Sequence, residues 1–402
     1  MNKKIQISFD KETYYELDGS IDKDSRVLKF VLPFERMEEV YKFNPGKLFL
    51  DPKKINCYKN IYVIDENGTE YSCLNCILGF DRYEDPLIVY SAPIDYVMEN
   101  VISDNKKIDI DNMIITTSMP KKYMPYIGNL EFKYKRFKKI YINRYVNNNK
   151  VIIEYSVSSS KKVKYSELSD ILYSLMELTF LYFGDIPKIE KICAHADKDV
   201  NIYFSNAPKY MQRSNIYKSA NNGILAFVEP KCINKDVLDS FIKFRKNTKI
   251  LFDLLMIHMN VDGYLEITNS MLIQLLEGMY KSNNPGTKKE MWEILEDYFI
   301  NNSTIKTLLV RRDKVNAGDQ HNTSIFLYKV KEHRNYLSHL NMNETKKVFY
   351  DIENNYAYWK LCLALRIYIM QCINVEINQS GFNNIKTSIE SWAKKRNFKY
   401  KK

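Results

Sequence analysis

Glycine and proline are scarce, at 12 and 11 among 402 residues. That scarcity excludes collagen-like, linker-rich and low-complexity architectures, which need one or both in quantity. No Gly-rich phosphate loop is present, so nucleotide or dinucleotide binding has no motif to rest on. Neither Gly-x-Ser-x-Gly nor His-Glu-x-x-His occurs, and histidine itself is rare, at five. No apolar run reaches bilayer length. The most apolar stretch, Leu361 to Ile373, is interrupted by Arg366 and reads as a buried helix, so no membrane partner is expected. Residues Met1 to Asp10 carry Lys3 and Lys4 but no apolar segment of signal-peptide length. Seven Cys without an even framework point to reduced thiols and a cytoplasmic setting.

What remains is ordinary globular material with a basic bias. Hydrophobic residues make up 45% of the chain, enough for sizeable cores. Sixty Lys and Arg against 49 Asp and Glu give a net charge of +11, which points to an anionic partner or to a solvated Lys-rich surface.

The pattern changes along the chain. From Ile5 to about Ser158, short β-prone runs alternate with turns: Arg26 to Leu32, Ile61 to Ile64, Leu87 to Tyr90 and Ile114 to Thr117. Asp65-Glu-Asn-Gly68 marks one turn. The clearest hairpin is Lys133 to Tyr145 followed by Val151 to Val157, with Asn147 to Lys150 as its turn. Ser166 to Phe183 carries apolar residues at helical spacing, and strands return at Lys191 to Cys193 and Val200 to Phe204. From Lys235 the pattern is helical throughout, over Val237 to His258, Ile267 to Tyr280, Lys288 to Phe299, Ser324 to Leu340 and Glu344 to Glu376. The expected fold is therefore α+β. Residues 1–230 form an N-terminal β-rich, sandwich-like domain, and residues 235–402 an all-α antiparallel helical bundle.

Several candidate sites also have bland readings. Cys73-Leu-Asn-Cys76, with Cys57 upstream, lacks the second pair or the His that a zinc set needs, so no metal and no cofactor are expected. Glu131 to Tyr141 interleaves lysines with aromatics. Lys133, Lys135 and Arg136 suit a nucleic-acid strand, though the favoured reading is a half-exposed strand whose lysines discourage edge pairing. Lys394, Lys395 and Arg396 in the basic tail could follow a phosphate backbone or form a solvated end. Arg311 and Arg312 open a long polar loop that ends near Thr323 and are further candidates for contact with a nucleic-acid strand.

The sharpest signal is His333-Arg-Asn-Tyr-Leu-Ser-His339, on an expected helix just after that loop. Arg334 and His339 lie about 140° apart around an ideal helix, so they bracket a surface. Asn335 and His339 share a face. A phosphate would fit between such groups. A structural reading pairs Arg334 with an acid on a neighbouring helix.

Arg334-Asn335-Tyr336-Leu337-Ser338-His339 resembles the Arg-Asn-x-x-x-His signature of HEPN domains, helical bundles associated with ribonucleases and nucleic acids. Leu275-Leu-Glu277-Gly-Met-Tyr280 resembles the preceding helix of the ApeA-like subgroup, which also joins a β-rich N-terminal domain to a C-terminal HEPN bundle. Leu340 departs from the Gly that many of its members carry after the His.

The resemblance implies a metal-independent endoribonuclease leaving 2′,3′-cyclic phosphate and 5′-OH ends. Arg334 and His339 would be catalytic, with Asn335 and Glu277 in support and Glu277 holding Arg334 by an ion pair. A homodimer with both motifs facing one cleft would supply a base and an acid at once. An RNA substrate, tRNA among the candidates, and an antiphage or abortive-infection role answering a phage-derived trigger or regulator follow from the same resemblance. The alternative is a non-catalytic HEPN protein that binds RNA or a partner. A toxin restrained by another protein is a third.

Overall fold

The computed structural model describes residues 3–23, 25–33, 59–76, 79–84, 87–93, 96–103, 108–120, 129–135, 138–148, 150–183, 188–204, 232–260, 264–313, 324–339 and 348–400. The fold is mixed α+β, with an antiparallel sheet followed by helices.

Among the described residues, twelve strands precede the first described helix. They are β1 (Lys4–Ser8), β2 (Tyr15–Asp22), β3 (Val27–Pro33), β4 (Lys59–Ile64), β5 (Glu70–Cys76), β6 (Gly79–Glu84), β7 (Leu87–Pro93), β8 (Tyr96–Glu99), β9 (Asp109–Pro120), β10 (Leu130–Tyr134), β11 (Lys138–Asn147) and β12 (Lys150–Lys164). Helix α1 (Tyr165–Phe183) follows, then β13 (Lys188–His195) and β14 (Asp199–Phe204). The fourteen strands among the described residues join one sheet in the order β10-β11-β12-β9-β13-β14-β8-β5-β4-β1-β2-β3-β7-β6. Every pairing is antiparallel.

Local chemistry explains the turns. Between β4 and β5, Asp65 Oδ1 accepts the N–H groups of Asn67 and Thr69, and Gly68 takes a φ of 79° that its missing Cβ permits. Asn147 pairs with Lys150, leaving a two-residue turn in which Asn148 has φ 43°. Asn tolerates that left-handed value better than most residues. One expectation needs correcting. The run from Lys133 to Tyr145 is not one strand but two, β10 and β11, which pair with each other. Lys135, at φ 54°, reverses the chain there.

The bundle contains α2 (Lys235–Asn247), α3 (Lys249–Asn260), α4 (Leu265–Asn283), α5 (Met291–Glu296), α6 (Ile325–His339), α7 (Ile352–Cys372) and α8 (Gln379–Lys395). The segment expected as one helix from Val237 to His258 breaks at Thr248, whose N–H and hydroxyl both bond to Phe244 O. α5 continues as a π turn over Asp297–Asn301. α7 begins later than Glu344, after Asp351 at φ 43°. Its buried residues include Leu361, Leu363, Leu365 and Ile367, all round the helix, as a central helix requires.

Asn269 of α4 bonds to Asn354 of α7, while Tyr280 and Tyr368 both pack on Tyr298. α4 and α7 therefore run in the same direction, a departure from a simple antiparallel bundle. The intervening chain through α5 and α6 makes the return that parallel neighbours require.

Sheet and helices share a core. One hydrophobic cluster runs from β9 to β14 through α1 into the helices, and a second lies under β1 to β5. Polar clamps cross the same junction. Tyr134 OH donates to Asp239 Oδ1 at 2.7 Å, and Arg366 Nε donates to Leu181 O at 2.9 Å. Arg245 grips Glu177 with two bonds, at 2.8 and 3.1 Å, and Asp253 with a third at 2.5 Å. Among the described residues, no helix is long and apolar enough to cross a membrane.

Candidate functional site

Helix α6 presents the motif because its apolar stripe fixes its rotation. Phe326, Leu327 and Val330 are fully buried, and His333 continues the stripe one turn later. Arg334 then falls about 100° further round, at the edge of the packed face. Its side chain is 31% exposed.

Across from it, α4 supplies Glu277. Arg334 Nη2 lies 3.3 Å from Glu277 Oε2, and Arg334 Nη1 donates to Asn335 Oδ1 at 3.3 Å. Glu277 also takes the Lys281 ammonium at 2.7 Å, one turn along its own helix. Arg334 Nε is buried and meets no acceptor among the described residues. Both guanidinium contacts are at the long end of hydrogen bonding, so the fork is oriented but not saturated.

His339 is the last described residue of α6, and its side chain lies outside the described residues, as does Leu340. The structure thus brings together Arg334, Asn335 and Glu277 and fixes only the helical position of His339.

The neighbouring His333 has a different character. Its Nε2 lies 2.8 Å from Glu266 O, which can only accept, and its Nδ1 faces the Phe349 N–H at 3.4 Å, which can only donate. That pattern requires the neutral ring with the proton on Nε2. Burial pushes its pKa below the usual histidine value. Phe349 packs against the ring at 5.4 Å. His333 is a structural histidine.

Sequence reasoning missed two buried ionic groups around this site. Lys329, one turn before His333 on α6, pairs with Glu353 of α7 at 2.7 Å, both side chains 3% exposed. Lys360 of α7 pairs with Asp313 at 2.5 Å and donates to Leu308 O at 2.6 Å, deep in the helical core. Burial lowers the Lys360 pKa, while Asp313 opposes that shift. The only available sign was that each lysine interrupts an apolar stretch, Lys329 between Phe326-Leu327 and Val330, and Lys360 between Trp359 and Leu361.

The other expected residues are dispersed. Lys133 is exposed on edge strand β10, and Lys135 extends over the Tyr134 ring at 5.1 Å. Arg136 and the Arg311 side chain lie outside the described residues. Arg312 is committed internally, with Nε 3.1 Å from Glu390 Oε2 and Nη1 3.4 Å from Phe398 O. Lys394 and Lys395 are no tail: they close α8, a helix absent from the expected elements, and Arg396 stacks on Trp392 at 4.9 Å.

Cys73 and Cys76 are fully buried free thiols. Cys76 Sγ donates to Cys73 O, and burial pushes the Cys73 thiol well above its usual pKa. Among the described residues, no group of three or more His, Cys, Asp or Glu is placed to hold a metal ion.

Comparison with protein-family models, with curated proteins and with solved structures gives no match to this chain.

Proposed function

We propose that the chain is a metal-independent endoribonuclease of HEPN type, acting on RNA as a homodimer in antiphage defence. The observation that carries this reading is the arrangement of Arg334. It is held by Glu277 of a second helix, partly exposed, with donors to spare, on the helix that also carries His339. A planar cationic fork so placed suits a phosphate whose charge grows during reaction.

In the proposed reaction a ribose 2′-oxygen attacks the adjacent phosphorus and its proton passes to a base. The 5′-oxygen leaves with a proton from an acid. His339 fills one of these proton-transfer roles and its copy in a second protomer the other, since one imidazole cannot serve both at once. The products are a 2′,3′-cyclic phosphate and a 5′-OH. The test is cleavage by purified protein in EDTA, with and without a 2′-deoxy residue at the scissile position. Cleavage of the all-ribose strand alone is expected. Cleavage of the deoxy strand, or loss of cleavage in EDTA, contradicts the reading.

One observation favours a second reading, a non-catalytic RNA- or partner-binding protein. Arg334 already spends donors on Glu277 and Asn335, and its Nε is buried. On that reading Arg334→Ala weakens binding or stability and no RNA end changes.

A further inference from the structure

The last helix and the residues after it combine a firm anchor with an outward face that carries no acid. α8 buries Phe382, Ile385, Ile389 and Ala393, one stripe at helical spacing. The opposite stripe, Ser380, Asn383, Asn384, Thr387 and Ser391, is exposed and runs into exposed Lys394, Lys395 and Arg396. Between Gln379 and Tyr400 there are five Lys or Arg and a single acid, Glu390. That acid turns inward. It meets Arg312 at 3.1 Å and accepts the Tyr356 hydroxyl at 2.8 Å.

Beyond α8 the backbone stays pinned. Phe398 N–H bonds to Ala393 O at 2.9 Å, and the Phe398 ring packs 4.7 Å from Tyr356. Tyr400 OH donates to Asp313 Oδ1 at 2.7 Å, with the Lys329 ammonium 5.7 Å from its ring. Between these two anchors Lys399 points outward. Lys329 belongs to α6, so the basic segment passes from the end of α8 to the flank of the helix that carries Arg334. Among the described residues, Lys394, Lys395 and Lys399 have no ion-pair partner.

We infer that this face, the polar stripe of α8 with Lys394, Lys395, Arg396 and Lys399, is a contact surface for the phosphate backbone of an RNA strand. The identity of the polyanion as RNA rests on the ribonuclease reading. Hydroxyl, amide and ammonium donors are the groups that hold phosphate and sugar without reading sequence. With no carboxylate on the stripe, nothing there repels a polyanion. Because the backbone is already fixed, binding loses little ordering entropy.

The experiment uses full-length protein carrying His339→Ala, which removes cleavage from the readout. Binding of a fluorescent single-stranded RNA is followed by anisotropy across a salt series, before and after Lys394→Gln/Lys395→Gln/Lys399→Gln. Kd should rise by at least roughly tenfold near 0.1 M salt, and the slope of log K against log salt should fall by about 2 to 3. The corresponding Lys→Arg triple should bind like its parent. An unchanged Kd and slope overturns the inference. So does an equal loss from Lys133→Gln/Lys135→Gln, which would show a response to net charge alone. If this surface binds RNA but the wild type cuts none, the ribonuclease reading fails while the surface stands. If the wild type cuts RNA and the triple binds normally, the surface fails alone.

Discussion

Arg334 donates to Glu277 and to Asn335 at 3.3 Å each, contacts that aim a guanidinium without exhausting it. Arg334→Lys keeps the charge but loses the planar fork. Cleavage should fall roughly 100-fold or more. The pair is partly solvent-screened, so stability should change by about 1 kcal/mol or less. A cleavage rate and a thermal melt on the same preparation check both, and near-normal cleavage by the Lys variant would remove the fork from the mechanism. His333 makes the opposite case. Its folded pKa lies below the ordinary value of about 6.5, so the unfolded chain binds the extra proton first. The stability it contributes is present above that pH and is lost as pH falls through the folded pKa. His258 is shifted in the same direction by burial. The informative quantity is therefore the difference between wild type and His333→Asn in urea unfolding from pH 7.5 to 5. That difference should shrink on acidification; a flat difference contradicts the neutral, hydrogen-bonded ring. Arg334, Asn335 and Glu277 were legible in the sequence because two short motifs named them. The inert character of His333 was not, because its partners Glu266 and Phe349 lie 67 and 16 residues away.

At the scale of elements, α6 is fixed from both sides, by apolar packing and by the buried Lys329–Glu353 pair. Lys329→Met strands Glu353 in the core and should cost about 3 to 5 kcal/mol. Adding Glu353→Leu should recover most of that loss, since a buried ion pair replaced as a unit is often nearly neutral. Chemical denaturation of the two variants distinguishes these outcomes; a double variant no better than the single would mean that the pair does more than satisfy itself. α1, α4 and α6 were readable because their apolar stripes are long and uninterrupted. α8 was not. Its exposed stripe of Ser, Asn and Thr has modest helix propensity, and Gly381 stands in its first turn. Only Phe382, Ile385, Ile389 and Ala393 signal it. The β10–β11 reversal was hidden for another reason: a lysine at positive φ carries no turn signature, and alternation continues on both sides of it. The parallel run of α4 and α7 depends on tertiary contacts such as Asn269 with Asn354, which no local pattern encodes.

Across the whole molecule, the core that unites β9 to β14 with the helices makes the two halves interdependent. Residues 232–402 expressed alone would uncover the surfaces that pack on α1 and would lose Glu177, which Arg245 grips, and Leu181 O, which accepts from Arg366. That fragment should aggregate or bind a hydrophobic dye where the full chain does not. A soluble, cooperatively folding fragment would contradict the shared core. The net charge of +11 is likewise distributed with consequence. Arg312 pairs with the half-buried Glu390 and Lys360 with the buried Asp313, while the cations at the end of α8 face outward. The central claim concerns Arg334 and His339, and one measurement reaches it most directly: sequencing cellular RNA ends after inducing wild-type protein beside His339→Ala at equal levels of folded protein. The proposal predicts new 5′-OH and 2′,3′-cyclic phosphate ends with the wild type and none with His339→Ala. The same new ends in both strains, or none in either, would contradict it.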